Sequence, residues 1–233
     1  MKRLFLIFMI LCIAAIVTAD TVVVVGQPRV VAGPSYDFQE TFETNPGYDK
    51  TWTENTGNPD EDASTTGLSL QGSQCLSMAA ATIYNIRSSN FTAYPNNVYI
   101  SFMFRMADAT PTDDVTIFRM YAGSNGVLSL YVKSDGSMRL YPTGGSSFTV
   151  LNNAGETAYM ANNTTAYFWI TTNGSNSVSV YVAATGTKPD NGATGTLVEA
   201  GDFTQVRLES SATYNQGLMY FDDLRIDDAF SNY

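Results

Sequence analysis

The chain is 233 residues long, 44% hydrophobic and 15% charged, with 12 Lys and Arg against 22 Asp and Glu and no histidine. That composition belongs to globular chains rather than disordered or multi-span membrane ones. A net charge of -10 argues against the phosphate-neutralising surface of a general nucleic-acid binder, and the missing imidazole removes serine–histidine hydrolases, histidine-ligated zinc and histidine general bases.

Lys2 and Arg3 precede the apolar run Leu4 to Val17, and Val17-Thr18-Ala19 offers compact residues for cleavage before Asp20. The run is shorter than the roughly 20 residues of a membrane-spanning helix. Residues 1–19 therefore read as a secretory signal peptide, with an uncleaved anchor as the alternative, so the mature chain is expected outside the cell or on its surface, with no membrane attachment after cleavage. Cleavage leaves 214 residues, takes the net charge from -10 to -12 and removes Cys12. Cys75 then has no partner for an intramolecular disulfide. Its setting, Gln74-Cys75-Leu76-Ser77-Met78, alternates like a strand, so it reads as a small buried residue, with intermolecular pairing as the alternative.

Residues 20–35 form an extension that is intensely β-prone from Thr21 to Val31. Such a segment either joins its own sheet, serves as a linker, or completes the sheet of a second copy and builds a homo-oligomer or filament. Residues 36–233 read as one all-β domain, because each recognisable segment is short, rich in Val, Ile, Thr, Tyr and Phe, and bounded by turn residues. The acidic loop Asn58-Pro59-Asp60-Glu61-Asp62 lacks the spacing of an EF-hand and reads as solvated charge.

Tyr99–Met106, Val115–Tyr121 and Val127–Val132 are the strongest predicted strands and are expected to be consecutive and antiparallel. Ser124-Asn125-Gly126 and Ser134-Asp135-Gly136 supply hairpin turns, and Met138–Tyr141 is the return strand. Tyr167–Thr172 and Ser177–Val182 flank a further hairpin at Asn173-Gly174-Ser175-Asn176, and Leu218–Asp227 is the last strand. Trp169, within a strong strand, is expected to be an ordinary buried residue. Strands this numerous in one domain pack as two antiparallel sheets, a sandwich of jelly-roll type.

Three segments carry a resemblance: the opening Tyr36-Asp37-Phe38-Gln39-Glu40-Thr41-Phe42-Glu43, the Gly72-Ser73-Gln74-Cys75-Leu76 segment, and the closing Tyr220-Phe221-Asp222-Asp223-Leu224-Arg225-Ile226-Asp227. Together they resemble the concanavalin A-like lectin/glucanase superfamily, especially its laminin-G-like members, over residues 36 to 228. Similar ends occur in jelly-roll carbohydrate-binding modules of bacterial glycanases. The resemblance implies that the first and last strands lie side by side and that the Gly-x-x-x-Leu strand carries an early core position. It also implies a non-catalytic member: the Glu-x-Asp-x-x-Glu strand of the laminarinase relatives does not occur, and the Gln-x-His segment of the alginate-lyase relatives needs a histidine the chain lacks.

Calcium is common among such relatives, and Glu40 and Glu43, brought near Asp222 and Asp223 by pairing of the terminal strands, are the candidate ligands. The plainer reading is that Asp222, on the predicted strand face of Leu224 and Ile226, hydrogen-bonds a loop, while Asp227 and Asp228 are solvated. Sugar rings stack on aromatic platforms. Tyr48 and Trp52 in a polar stretch, with Tyr94, Tyr141 and Tyr159 at predicted strand ends or loops, are the candidate ligand-binding residues; the alternative is that they are core or edge residues. Asn90, Asn162, Asn163 and Asn173 begin N-glycosylation patterns.

These readings converge on a secreted, non-catalytic sandwich whose partner is an extracellular glycan or surface protein. A structural or filament subunit is the second reading. A glycan-cleaving enzyme is the third, and it would need two acids facing one cleft about 5–10 Å apart.

Overall fold

In the computed structural model, residues 38–43, 70–78, 98–172, 176–197, 203–210, 217–227, 229–230 and 232–233 are described in full, together with the backbone of two further strands, 52–56 and 85–88. All belong to one unit, residues 36–233. The expected signal peptide, the extension to residue 35 and the acidic loop at 58–62 lie outside the described residues.

The described residues form strands and no helix, in two antiparallel sheets packed as a sandwich. The first sheet runs in the order β1 (Phe38–Glu40), β14 (Met219–Asp227), β5 (Val98–Met106), β10 (Ala166–Thr172), β11 (Ser177–Ala183), β12 (Ala193–Thr196), with β3 (Leu76–Met78) also on β14. The second runs β2 (Trp52–Thr56), β4 (Asn85–Ser88), β13 (Gln205–Glu209), β6 (Val115–Ala122), β7 (Asn125–Val132), β8 (Met138–Pro142), β9 (Phe148–Thr149). The expected all-β antiparallel two-sheet architecture is present. Its first and last strands are neighbours, with Phe38 opposite Ile226.

Alternation in each strand turns one set of side chains into the space between the sheets. Leu128, Leu130 and Val132 of β7 point inward, as do Phe168 and Ile170 of β10, and all are fully buried. Three phenylalanines tie the layers together. The Phe102 ring lies 5.0 Å from Phe168 beside it and 5.1 Å from Phe118 of the opposite sheet. At the far edge the sheets close where the Phe148 ring covers Gly195, whose position has no room for a Cβ. Leu76 of β3 occupies a core position.

Strand β14 does not alternate evenly. Met219 and Phe221 face the core, and so do Leu224 and Ile226, so the inward phase moves from odd to even positions. A bulge between Asp222 and Arg225 makes the change, with Asp223 in the left-handed region at φ 45°. Aspartate is one of the few side chains that tolerates this conformation. Asp222 consequently lies on the face opposite Leu224 and Ile226. The expectation that it shares their face is corrected, because a regular two-residue period misses the inserted residue.

Three further expectations change. β5 lies in the first sheet between β14 and β10, so it is not a neighbour of β6; of the three strongest predicted strands only the second and third, β6 and β7, pair with each other. The turn between those two is Gly123-Ser124, with Gly123 at φ 59°, while Asn125 and Gly126 already belong to β7. Trp169 is fully buried but on the outer face of the first sheet, beneath Tyr233, and not among the core side chains.

Candidate functional site

At one end of the sandwich the chain leaves β9 and makes a small hairpin before β10. Its tip is set by Asn152: the Asn152 Oδ1 accepts from the backbone N–H of Ala154 at 2.9 Å and of Glu156 at 3.1 Å, and its Nδ2 donates to Glu156 Oε2 at 3.4 Å. Such side-chain capture of local N–H groups fixes a turn without a longer element. The hairpin returns along β8, with Tyr159 opposite Ser137. The Asn162 Oδ1 then accepts from Ala109 N at 2.8 Å and ties the following loop to the sandwich.

This arrangement leaves a cavity of about 690 Å3 between the hairpin and the ends of β10 and β11, lined by Asn152, Glu156, Tyr159, Thr164 and Val182 among others. Tyr159 stands at it with 60% of its surface exposed. An exposed ring next to amide, hydroxyl and carboxylate groups presents a flat apolar platform with flanking hydrogen-bonding groups. Glu156 is the only carboxylate among the described residues that line it.

Of the other candidate ligand-binding residues, Tyr141 is the penultimate residue of β8 and faces outward. Its ring meets that of Tyr131 at 4.7 Å, and Lys133 Nζ, ion-paired with Asp114, reaches its hydroxyl at 3.5 Å. That contact with Asp114 is the main reason the Lys133 pKa is raised. Trp52 starts β2, and nothing is described of its side chain; Tyr48 and Tyr94 lie outside the described residues.

The four candidate metal ligands divide between two faces. Glu40 is fully buried on the core side, opposite Leu224, and its Oε1 accepts from Phe42 N at 2.9 Å. Glu43, Asp222 and Asp223 border a small hollow of about 140 Å3 on the outer side. Their oxygens are already engaged there. Glu43 accepts from Ser73 N at 2.9 Å, Ser73 Oγ at 2.6 Å and Gln74 N at 3.1 Å. Asp222 accepts from Gln71 N and from Asp223 N, each at 2.8 Å. Asp223 accepts from Gln39 Nε2 at 2.9 Å and forms a two-pronged pair with Arg225, whose Nε lies 2.9 Å away.

Burial pushes the Asp222 carboxyl up to about 8 against those two N–H donors. Among the described residues no group of three or more Cys, Asp and Glu gathers so as to hold a metal ion. The cluster does what backbone capture requires, pinning loop 71–74 to the bulge of β14.

No protein-family model and no curated protein matches the sequence. Solved structures do. The receptor binding domain of botulinum neurotoxin C/D mosaic serotype aligns with TM-score 0.59 and 12% identity over 85% of this chain and 49% of that one. The ligand binding domain of botulinum neurotoxin serotype D, solved in complex with N-acetylneuraminic acid, gives 0.55 and 10% over 85% and 48%. The serotype G binding domain gives 0.54 and 12% over 85% and 49%. This chain spans about half the length of each. At such identities the likeness shows a shared fold alone, and it places the chain in the class of antiparallel β-sandwiches.

Proposed function

We propose that this protein is an exported, non-catalytic β-sandwich that binds glycans, with the cavity beside Tyr159 as a sugar-binding site. The finer placement among concanavalin A-like lectin domains is part of the same reading. The observation that carries it is the exposed Tyr159 ring beside the Asn152 and Glu156 side chains, on a hairpin whose tip is already fixed. A site built before the ligand arrives loses less freedom on binding.

Two further points support it. Sandwiches of this fold include the binding domains of botulinum neurotoxins, one of them solved with a sugar acid. A two-carboxylate glycosidase needs a second acid about 5–10 Å from the first, and Glu156 has none among the described residues lining the cavity.

The test is retention of the purified protein on a panel of neutral and charged polysaccharides, with calcium and with EDTA, while reducing ends are assayed. Saturable retention that Tyr159→Ala weakens at least tenfold, with an unchanged melting temperature and no new reducing ends, is the expected result. New ends would overturn the non-catalytic reading. No retention on any glycan would overturn the binding reading and favour a structural subunit, and loss of retention in EDTA would restore a metal to the site.

A further inference from the structure

Beyond residue 19 the chain holds ten Lys and Arg in an acidic background. Five of them, Arg87, Arg119, Lys133, Arg139 and Arg207, fall on the second sheet or at the end of one of its strands. Register sets three side by side: Arg87 pairs with Arg207 across β4 and β13, and Arg207 with Arg119 across β13 and β6. The same line continues from Arg119 to Ser129 on β7 and from Ser129 to Tyr141 on β8. Val206 and Leu208 beside Arg207, and Leu128 and Leu130 beside Ser129, face the core. The line therefore belongs to the outer face, and at a strand spacing of about 4.8 Å it crosses about 19 Å of sheet.

Like charges directly opposite each other destabilise a sheet. Among the described residues part of this charge is met internally, with Glu209 acting on both Arg119 and Arg207. Glu209 Oε2 lies 3.1 Å from Arg119 Nε, and Asp114 takes Lys133. Arg207 lies flat on Tyr121, its Cζ 4.0 Å from the ring centre, and its buried Nε has no hydrogen-bond partner. Arg139, opposite Tyr131 on the neighbouring strand, is exposed. Arginines set in register on three adjacent strands break a local rule of sheet pairing, and such breaks are found at functional sites.

We infer that this outer face binds an acidic polysaccharide, one bearing carboxylate or sulfate groups on an extended chain. Planar guanidinium groups take such anions through paired N–H donors. The Tyr131 and Tyr141 rings beside them offer apolar contact to sugar C–H faces. A nucleic acid is the poorer fit. Duplex DNA carries a charge every 1.7 Å or so, and the chain as a whole, at a net -10, repels so dense a polyanion. The inference adds a second surface to the glycan-binding reading and does not depend on the Tyr159 cavity.

The experiment measures binding of the full mature protein to polygalacturonate, chondroitin sulfate, neutral dextran and single-stranded DNA at 50 mM and 300 mM salt. The variants are Arg207→Gln, Arg139→Gln and, as a charge-matched control in the loop between β11 and β12, Lys188→Gln. At least one of the two acidic glycans is expected to bind at least tenfold tighter than dextran and DNA, and to lose tenfold or more at high salt. Arg207→Gln and Arg139→Gln should each weaken it severalfold to tenfold, and Lys188→Gln should leave it intact. Because Arg139 is exposed, its variant reads the surface even where Arg207→Gln lowers stability.

Equal binding of dextran, equal capture of DNA, or equal losses from all three variants would overturn the assignment. Neutral-glycan binding that depends on Tyr159, with no acidic-glycan preference, would sink this inference alone. Acidic-glycan binding lost in the arginine variants but not in Tyr159→Ala would uphold it, whatever the cavity binds.

Discussion

Asp223 and Arg225 face each other across the bulge of the last strand, joined through Arg225 Nε at 2.9 Å and through a second contact from Nη2. Both residues are buried, at 3% and 7% exposure. The pair holds the strand where its inward phase changes. Tyr233 sits under the guanidinium, 4.2 Å from ring centre to Cζ, and its hydroxyl donates to the Asp223 carbonyl at 3.2 Å.

Removing the carboxylate alone leaves a buried cation without its counter-charge, which costs about 3–5 kcal/mol. Asp223→Ala is expected to lose that much in urea unfolding. The double variant Asp223→Ala with Arg225→Met should recover part of it, since no charge is left stranded. A double variant no more stable than the single would show that the loss comes from backbone conformation and not from charge.

Asp222 sets a pH dependence of the opposite sense to acid denaturation. Its pKa stands near 8 in the fold, raised first by burial, against an ordinary value of 3.8. The folded state then holds a proton that the unfolded chain releases, so the contribution is fully present below about 4 and declines as pH rises towards 8. The expected outcome is a fall in the denaturant midpoint between pH 5 and pH 8 that flattens in Asp222→Asn. An identical slope in the variant would assign the dependence elsewhere.

The Cys75 thiol is fully buried beside Tyr220, and burial, helped by the Asp222 charge, pushes its pKa up to about 12. A thiol is attacked and oxidised as its thiolate. In the native protein a disulfide reagent at pH 8 should therefore leave Cys75 unmodified for hours, with stoichiometric reaction in guanidinium. Rapid native labelling would mean that the segment around β3 opens readily.

Tyr233 also covers Trp169, with ring centres 5.9 Å apart, and is held by a 2.8 Å hydrogen bond from its N–H to the Gly186 carbonyl. Tyr233→Ala is expected to expose the indole, shifting its emission to longer wavelength and raising its quenching by acrylamide, at a cost of about 1–3 kcal/mol. The second tryptophan, Trp52, is replaced by Phe in both proteins so that the signal has one source. An unchanged spectrum would show that Trp169 is covered by other groups.

How far the sequence carries can be traced in particular residues. Alternation in β5, β6, β7, β10 and β11 located those strands to within two residues at either end, because both periodicity and turn residues are local. Which sheet received β5 was not legible, since nothing in Val98–Met106 names its partners. Asp222 and Asp223 were legible as an acidic pair and misread as to face, because one left-handed residue inverts a pattern that is otherwise regular. Tyr159 stood out as a loop aromatic. The arginine row did not: Arg119, Arg139 and Arg207 each read as a lone charge between apolar neighbours, and only strand order brings Arg119 and Arg207 together.

The pairing of β1 with β14 bears on how the molecule is made. Phe38 and Ile226 lie opposite each other on paired strands and come from opposite ends of the domain sequence, and β5 is flanked by β10 and β14. During vectorial synthesis the first sheet stays open until its final strand arrives, with unpaired edges on β1 and β5 in the interval. Contacts this distant in sequence make folding slow, and waiting edges recruit other chains. Assembly of the sandwich is thus a late, whole-chain event, and the nascent protein depends on being kept apart from its copies until the last strand is in place.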